Sequence, residues 1–231
     1  MSRDLAQEIL ARVRRCLPDG GSFPLHEPTF GGAERDYLGR CIESGWVSTA
    51  GQFVEELEAR LAELTGAKFA VATVNGTAAL HVCLHVAGVA PNDEVVVPAL
   101  TFVATANAVS YCNAVPHFAD AAEATLGLDP HQLAAHLGRV AELRNSACYN
   151  RQTGRRIRAV VPMHTFGNPV DMDSLKPVCQ EFGLVLVEDA AESLGSRYRG
   201  RHTGRDGQTG ALSFNGNKVV TTGGGGAVLT D

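Results

Sequence analysis

From Gln52 onward, apolar positions along the chain alternate between two spacings. In QFVEELEARLAELTGA, Phe53, Val54, Leu57, Leu61 and Leu64 recur on one helical face, and Gly66 follows as a stop. KFAVATV reads as a strand. NGTAALHVCLHVAGV opens with Asn and Gly and continues in good helix formers, which puts a strand-to-helix turn at Asn75 to Thr77. The same rhythm then repeats: DEVVVPAL as strand, TFVATANAVSYC as helix, VPHFAD as strand, and DPHQLAAHL as a helix with Pro130 in its first turn. IRAVVPMH and LVLVEDAA each contain a continuous apolar run and suit strands covered on both faces, with DMDSLKPVCQEFG as a crossover helix between them. GALSF and GAVLTD follow as short strands. This alternation predicts the α/β class, a three-layer, mostly parallel sheet flanked by helices.

Composition narrows the picture. With 231 residues, 45% of them hydrophobic, the chain can bury one large core. MSRDLAQEILARVRRCL reads as an amphipathic helix, so residues 1–30 are expected to form an N-terminal helix and arm and residues 31–231 the main domain. A formal charge of −5 argues against a nucleic-acid partner, which would favour a concentrated basic surface. Arg151, Arg155, Arg156 and Arg158 cluster, and read as a solvated loop before a strand. The six cysteines contain no C-x-x-C pair and read as reduced thiols, which points to a cytoplasmic location. No apolar run of membrane-spanning length and no cleavable signal is visible, so no membrane partner is expected.

Parallel sheets place ligands beyond the carboxyl ends of their strands, so residues just after each strand carry the candidate chemistry. Asn75, Gly76 and Thr77 offer backbone amides at a helix start, where a phosphate is favoured; the alternative is an ordinary N-cap. Asp189 ends an apolar strand, and is either a carboxylate awaiting a cation or a structural cap or ion pair. Phe102 is core packing or a flat surface beneath a planar ring. Lys218 is the sole charged side chain between Asp206 and Asp231, and is either solvated or placed where low charge favours a neutral amine. Together these are the parts that hold pyridoxal phosphate, whose aldehyde condenses with a primary amine while a carboxylate keeps the ring nitrogen protonated.

The motifs VNGTAALHVCL, VPALTFVATANAV, VVPMHTFGNPVDMDSL, LVEDAAESLGSRYRGRHTG and GALSFNGNKVVTTGGGGAVLTD occur in that order. The chain resembles the DegT/DnrJ/EryC1/StrS aminotransferases from about Phe30 to Asp231. FGNPVDMD and TTGGGG are similar to the branch with LegC-type enzymes. The resemblance implies a fold-type-I pyridoxal-phosphate enzyme that aminates a nucleotide-linked keto-(6-deoxy) sugar. It implies glutamate as donor, C4 as the carbon aminated, and a homodimer with ESGWVSTAG near its interface. By motif, Lys218 resembles the Schiff-base lysine and proton carrier, Asp189 the ring-nitrogen partner, and Gly76, Thr77 and Ser213 the phosphate site. Phe102 resembles the ring-stacking position. Glu192 stands where many members have Gln near the ring. His164 and Asn168 follow another strand and are candidates to face the sugar, with a structural histidine as the alternative.

Family members normally continue into a C-terminal domain, so the resemblance implies that the 231 residues are a large cofactor-binding domain without that part, with reduced turnover. A second reading is a paralogue that binds the cofactor without catalysis or acts as a regulatory subunit. A related dehydratase would carry histidine in place of Lys218. A nicotinamide dehydrogenase is disfavoured by the missing G-x-G-x-x-G and a P-loop enzyme by the order Gly216, Asn217, Lys218. HVCLH, with His81 and His85, lacks the glutamate base of a zinc protease, so no metal is expected.

Overall fold

Valines at successive positions of one strand point to opposite layers, and that alternation organises the molecule. The computed structural model describes residues 3–17, 20–24, 26–145 and 147–231. Its helices are α1 (Arg3–Cys16), α2 (Glu34–Ser44), α3 (Gln52–Thr65), α4 (Gly76–Val86), α5 (Val103–Tyr111), α6 (Pro130–Val140) and α7 (Met172–Phe182). The strands of the main sheet are β1 (Phe69–Thr73), β2 (Glu94–Pro98), β3 (Val115–Ala119), β4 (Ala141–Arg144), β5 (Ala147–Asn150), β6 (Arg156–Val160), β7 (Val185–Asp189), β10 (Thr209–Ser213) and β11 (Gly226–Thr230). A separate small hairpin pairs β8 (Arg197–Tyr198) with β9 (Arg201–His202).

The sheet runs in the order β1-β11-β10-β7-β6-β2-β3. On β2, Val95 and Val97 pack with α4 and α5 on one face, joined by Ala159, Val187 and Ala211. Val96, one residue out of step, packs with α6 and α7 on the other face, together with Ile157, Val160 and Leu186. All three valines are fully buried, as expected for period-two side chains in a strand covered on both faces. Each contributes about 1.5–3 kcal/mol by leaving water. A third cluster, with Leu61, Ala70, Leu212, Phe214 and Leu229, seats α3 over the β1 end of the sheet.

The helix boundaries follow from their caps. Asp129 Oδ1 accepts the amides of His131 and Gln132, with Pro130 at the first helical position of α6. Asp171 caps α7 through Ser174. Gly66 ends α3 in the left-handed region at φ 74°, its N–H returning to Ala62 O at 2.8 Å.

The fold is three-layered and its sheet mostly parallel, with two reversed strands: β5 runs antiparallel to β4 and β6. β11 runs antiparallel to both β1 and β10. Its connection from β10 contains no crossover helix, which a parallel return would require. Three further details depart from the sequence reading. Leu64 is exposed rather than turned to the core. The segment before β6 folds into the β4–β5 hairpin, docked on β6 through Cys148 opposite Ile157. Arg156 and Arg158 belong to β6 rather than to a solvated loop: Arg156 pairs with Asp93 (Nε–Oδ1 3.0 Å), and Arg158 donates to Ala87 O at 2.7 Å. Helix α1 spans Arg3–Cys16, residues 1–2, 18–19 and 25 of the expected N-terminal helix and arm lie outside the described residues, and among the described residues no helix is long and apolar enough to cross a membrane.

Candidate active site

The carboxyl ends of β2, β6, β7 and β10 face the same side as the start of α4. After β1, Asn75 takes an extended conformation and its Oδ1 accepts the Ala78 amide at 2.8 Å, which caps α4. The amides of Gly76 and Thr77 lie in that helix's first turn, where no acceptor exists within the helix and the positive dipole end borders the cavity. Ser213, the last residue of β10, presses against this turn. A Cβ added at Gly76 would lie 2.7 Å from Ser213 Cβ and 3.0 Å from its Oγ, so only glycine permits the approach.

Phe102 is the residue before the first turn of α5, and its ring is largely exposed at 56%. Lys218 lies above it, with Nζ 5.5 Å from the ring centroid. The lysine sits on the loop from β10 to β11, which is pinned at both ends. Phe214 N donates to Gly225 O at 2.8 Å, and the Lys218 amide donates to Asn215 O at 3.0 Å.

Asp189 closes the floor at 2% exposure. Its Oδ2 accepts the Thr105 hydroxyl at 2.7 Å and its Oδ1 accepts the Ala191 amide at 3.2 Å. Burial pushes the carboxyl up, opposed by the Thr105 and Ala191 hydrogen bonds and by the charges of Lys218 and His164. Asn75, Gly76, Thr77, Phe102, Asp189, Glu192, Ser213 and Lys218 all border one cavity of about 310 Å³, within the size range of small-ligand sites.

The surroundings of Lys218 are less free of charge than its local sequence implies. Glu192, 26 residues earlier, places Oε1 3.3 Å from Lys218 Nζ, and its Oε2 accepts the Phe166 amide at 3.0 Å. The chain brings an acid to the lysine through the fold, which local sequence does not display.

Two candidates fall outside the cavity. His164 is fully buried, with Nδ1 accepting the Val170 amide at 3.2 Å and Nε2 donating to Glu188 Oε2 at 2.9 Å. This is the structural alternative, and it corrects the sugar-facing reading of His164. Asn168 is exposed and donates to Thr165 O at 3.2 Å, closing a short 3-10 turn rather than lining the cavity. Conversely, Thr105, Met163, Asn215 and Asn217 were not singled out from sequence. The last three line the cavity and Thr105 touches Asp189. Thr105 follows Phe102 by three residues, an N3 helix position, but nothing in that spacing names Asp189 as its partner.

The arrangement is that of an α/β protein with a lysine, a buried carboxylate and the N-terminal turn of a helix sharing one pocket at the carboxyl edge of its sheet. The chain belongs to the DegT/DnrJ/EryC1/StrS aminotransferase family, whose profile matches residues 28–231. It is 39% identical over 204 residues to GDP-perosamine synthase from Caulobacter vibrioides, covering 88% of this chain and 51% of that protein. Among solved structures, DesI with its TDP-sugar product superposes with a TM-score of 0.76 at 37% identity, covering 92% of this chain and 51% of DesI. The 3-amino-5-hydroxybenzoic acid synthase superposes at 0.77 with 34% identity, covering 90% and 50%. The chain thus spans about half the length of the relatives it matches.

Proposed function

We propose that this chain is the cofactor-binding part of a pyridoxal-phosphate-dependent aminotransferase. It moves an amino group from glutamate to C4 of a nucleotide-linked keto-(6-deoxy) sugar, in the synthesis of amino sugars for surface polysaccharide. The carrying observation is that Lys218, Asp189 and the first turn of α4 border a single cavity. Relatives named as a GDP-perosamine synthase and as an enzyme crystallised with a TDP-sugar product support the substrate class.

The residues fit the cofactor on their own terms. Among the described residues, Asp189 is a buried carboxylate with two hydrogen-bond donors and no cation within ion-pair distance, so a protonated ring nitrogen satisfies it. The close approach of Gly76 and Ser213 gathers helix amides and a hydroxyl where a phosphate binds. Bound there, pyridoxal phosphate supplies an aldehyde that takes up amines and a ring that withdraws electrons from the attached carbon.

Each protein group then has a task. Phe102 supports one face of a planar ring. Asp189 holds the proton on the ring nitrogen, and Gly76, Thr77 and Ser213 fix the opposite end. Lys218 Nζ carries protons between donor and acceptor carbons, for which it must reach hydrogen-bond distance of them. Glu192 holds the amine when it is charged and ties it to the Phe166 segment. The enzyme acts in the cytoplasm as a homodimer. Exposed Leu38, Ile42, Trp46 and Val47 line a groove of about 990 Å³ that reaches Thr222 on the lysine loop, a surface suited to burial by a second copy.

The test is the absorbance spectrum of the chain with pyridoxal phosphate, before and after glutamate. A band that forms with the wild type, disappears with Lys218→Ala, and is converted by glutamate supports the proposal. A band that forms but does not respond to any amine marks a cofactor-binding subunit without catalysis. No Lys218-dependent band at all overturns the assignment.

A further inference from the structure

Asp189 is gripped from the side by a feature the proposed chemistry does not use directly. Thr105 lies at 1% exposure on the first turn of α5, the turn that begins at Phe102. Its hydroxyl is 2.7 Å from Asp189 Oδ2 and 2.8 Å from the hydroxyl of Thr101, which in turn lies 3.2 Å from Met163 Sδ. Each hydroxyl has one proton. When Asp189 is ionised it can only accept, so Thr105 donates to it and Thr101 donates to Thr105. When Asp189 is protonated, the chain can run the other way, from Asp189 to Thr105 to Thr101 and on to the sulfur, a weak terminal acceptor.

We propose that Thr105 is a positioning residue for Asp189: its hydroxyl fixes the carboxylate's orientation and favours its ionised form, backed by Thr101 and Met163 in a hydrogen-bond chain that reverses with the carboxyl's proton. The inference rests on the reading of Asp189 as the ring-nitrogen partner, and it deepens that reading. Because Thr105 shares a helical turn with Phe102, one turn sets both the surface beneath the ring and the charge at its edge. The Thr105 amide donates to Phe102 O at 3.0 Å, which makes that turn one unit. The other titratable groups around Asp189 are Lys218 on the lysine loop, His164 after β6, Cys83 on α4 and Glu188 beside it on β7. None of them donates a hydrogen bond to its carboxylate.

The experiment has two arms. In cofactor-free protein, the Asp189 carboxyl is followed by carbon-13 NMR against pH in wild type, Thr105→Val, Thr105→Ser and Thr101→Val. Removing a donor to the charged form raises the midpoint, by about one pH unit or more in Thr105→Val. Thr105→Ser should return it to near the wild-type value, and Thr101→Val should move it less, in the same direction. In the second arm, pyridoxal phosphate affinity is measured against pH. Thr105→Val should bind about tenfold more weakly at neutral pH, with the acid limb of its profile displaced upward, while Thr105→Ser stays near wild type.

An unshifted Asp189 midpoint in Thr105→Val, or a Ser variant as impaired as Val, overturns the inference. Should Thr105→Val not fold, the Thr101→Val shift decides alone, and its absence counts against the chain. A wild type that fails to bind pyridoxal phosphate refutes the cofactor reading, whereas the NMR arm still answers for Thr105.

Discussion

Gly76 and Ser213, 137 positions apart in sequence, meet so closely that a single methyl at residue 76 would sit 2.7 Å from Ser213 Cβ. No such contact is tolerated without moving one element. Gly76 opens α4 and Ser213 ends β10, and both are part of the main packed body, so neither yields cheaply. Gly76→Ala should therefore lower stability by about 1–3 kcal/mol. It should also widen the phosphate cradle and weaken pyridoxal phosphate binding by at least about tenfold. Denaturant titration and a cofactor binding isotherm check the two effects separately. An alanine variant with unchanged cofactor affinity would remove Gly76 from the phosphate site.

Adjacent carboxyls on β7 should respond to pH in opposite directions. For Glu188, burial acts upward, but the His164 hydrogen bond and charge and the amides of Gly207 and Gly204 outweigh it, holding the group below its ordinary 4.5. A depressed acid contributes stability above its unfolded value, and that contribution is lost as pH falls through the folded value. Asp189 is raised by burial, so its contribution is present at low pH and lost as pH rises through its folded value. At pH 7 and without cofactor, Glu188 is an asset and Asp189 a liability. Four donors converge on Glu188, His164 Nε2 and the Gly204 amide on one oxygen and the amides of Asp206 and Gly207 on the other, so Glu188→Gln sets its NH₂ against two of them and should cost about 3 kcal/mol. Asp189→Asn should leave the cofactor-free protein as stable as wild type or about 1 kcal/mol more stable, while losing pyridoxal phosphate. Urea unfolding of both variants at pH 7 measures the contrast, and a large loss of stability in Asp189→Asn would contradict it.

Much of this was legible in the chain because the strands announce themselves. The apolar stretches 159–161 at the end of β6 and 184–187 at the start of β7 suit strands covered on both faces, and Gly66 and Asp129 mark helix ends by their own chemistry. The direction of β11 was not legible, since strand direction depends on the connection and not on the strand. The β4–β5 hairpin is not legible because AELR is only four residues long and follows α6 without a break, while ACYN carries no alternation and pairs through docking on β6. At the pocket, the position of Lys218, Asp189 and Gly76 at or after strand ends agrees with their gathering around one cavity. Position after a strand does not say which way a side chain turns: His164, also past a strand end, points inward to Glu188. Pairings such as Thr105 with Asp189 span 84 residues, and only the strand order brings them together.

The six thiols should divide by burial. Cys16 is exposed and Cys41 half-buried, whereas Cys83, Cys112, Cys148 and Cys179 are buried. Burial pushes Cys83 up to about 11, Cys148 to about 11 and Cys179 to about 12, so these remain protonated at pH 8 and out of reach of reagent. Labelling native protein with a thiol-specific disulfide reagent should modify two cysteines rapidly, and the other four only after unfolding. Fast reaction of a third thiol would mean that the core opens far more easily than its packing indicates.

Glu192 offers the sharpest control over the lysine. Its carboxylate bridges Lys218 Nζ and the Phe166 amide, so it couples the amine to a segment whose Phe166 holds a left-handed φ of 52°. The lysine must be neutral to attack an aldehyde, and an anion beside it favours the charged form. Glu192→Gln removes that anion while its amide oxygen can still accept from Phe166, so the backbone contact survives. The glutamine variant should take up pyridoxal phosphate a few times faster at neutral pH, by roughly the tenfold or less that one partly exposed ion pair accounts for, its side chains 10% and 20% exposed. Stopped-flow absorbance of wild type and Glu192→Gln at pH 7 gives both rates, and equal rates would show that the Glu192 contact does not restrain the amine.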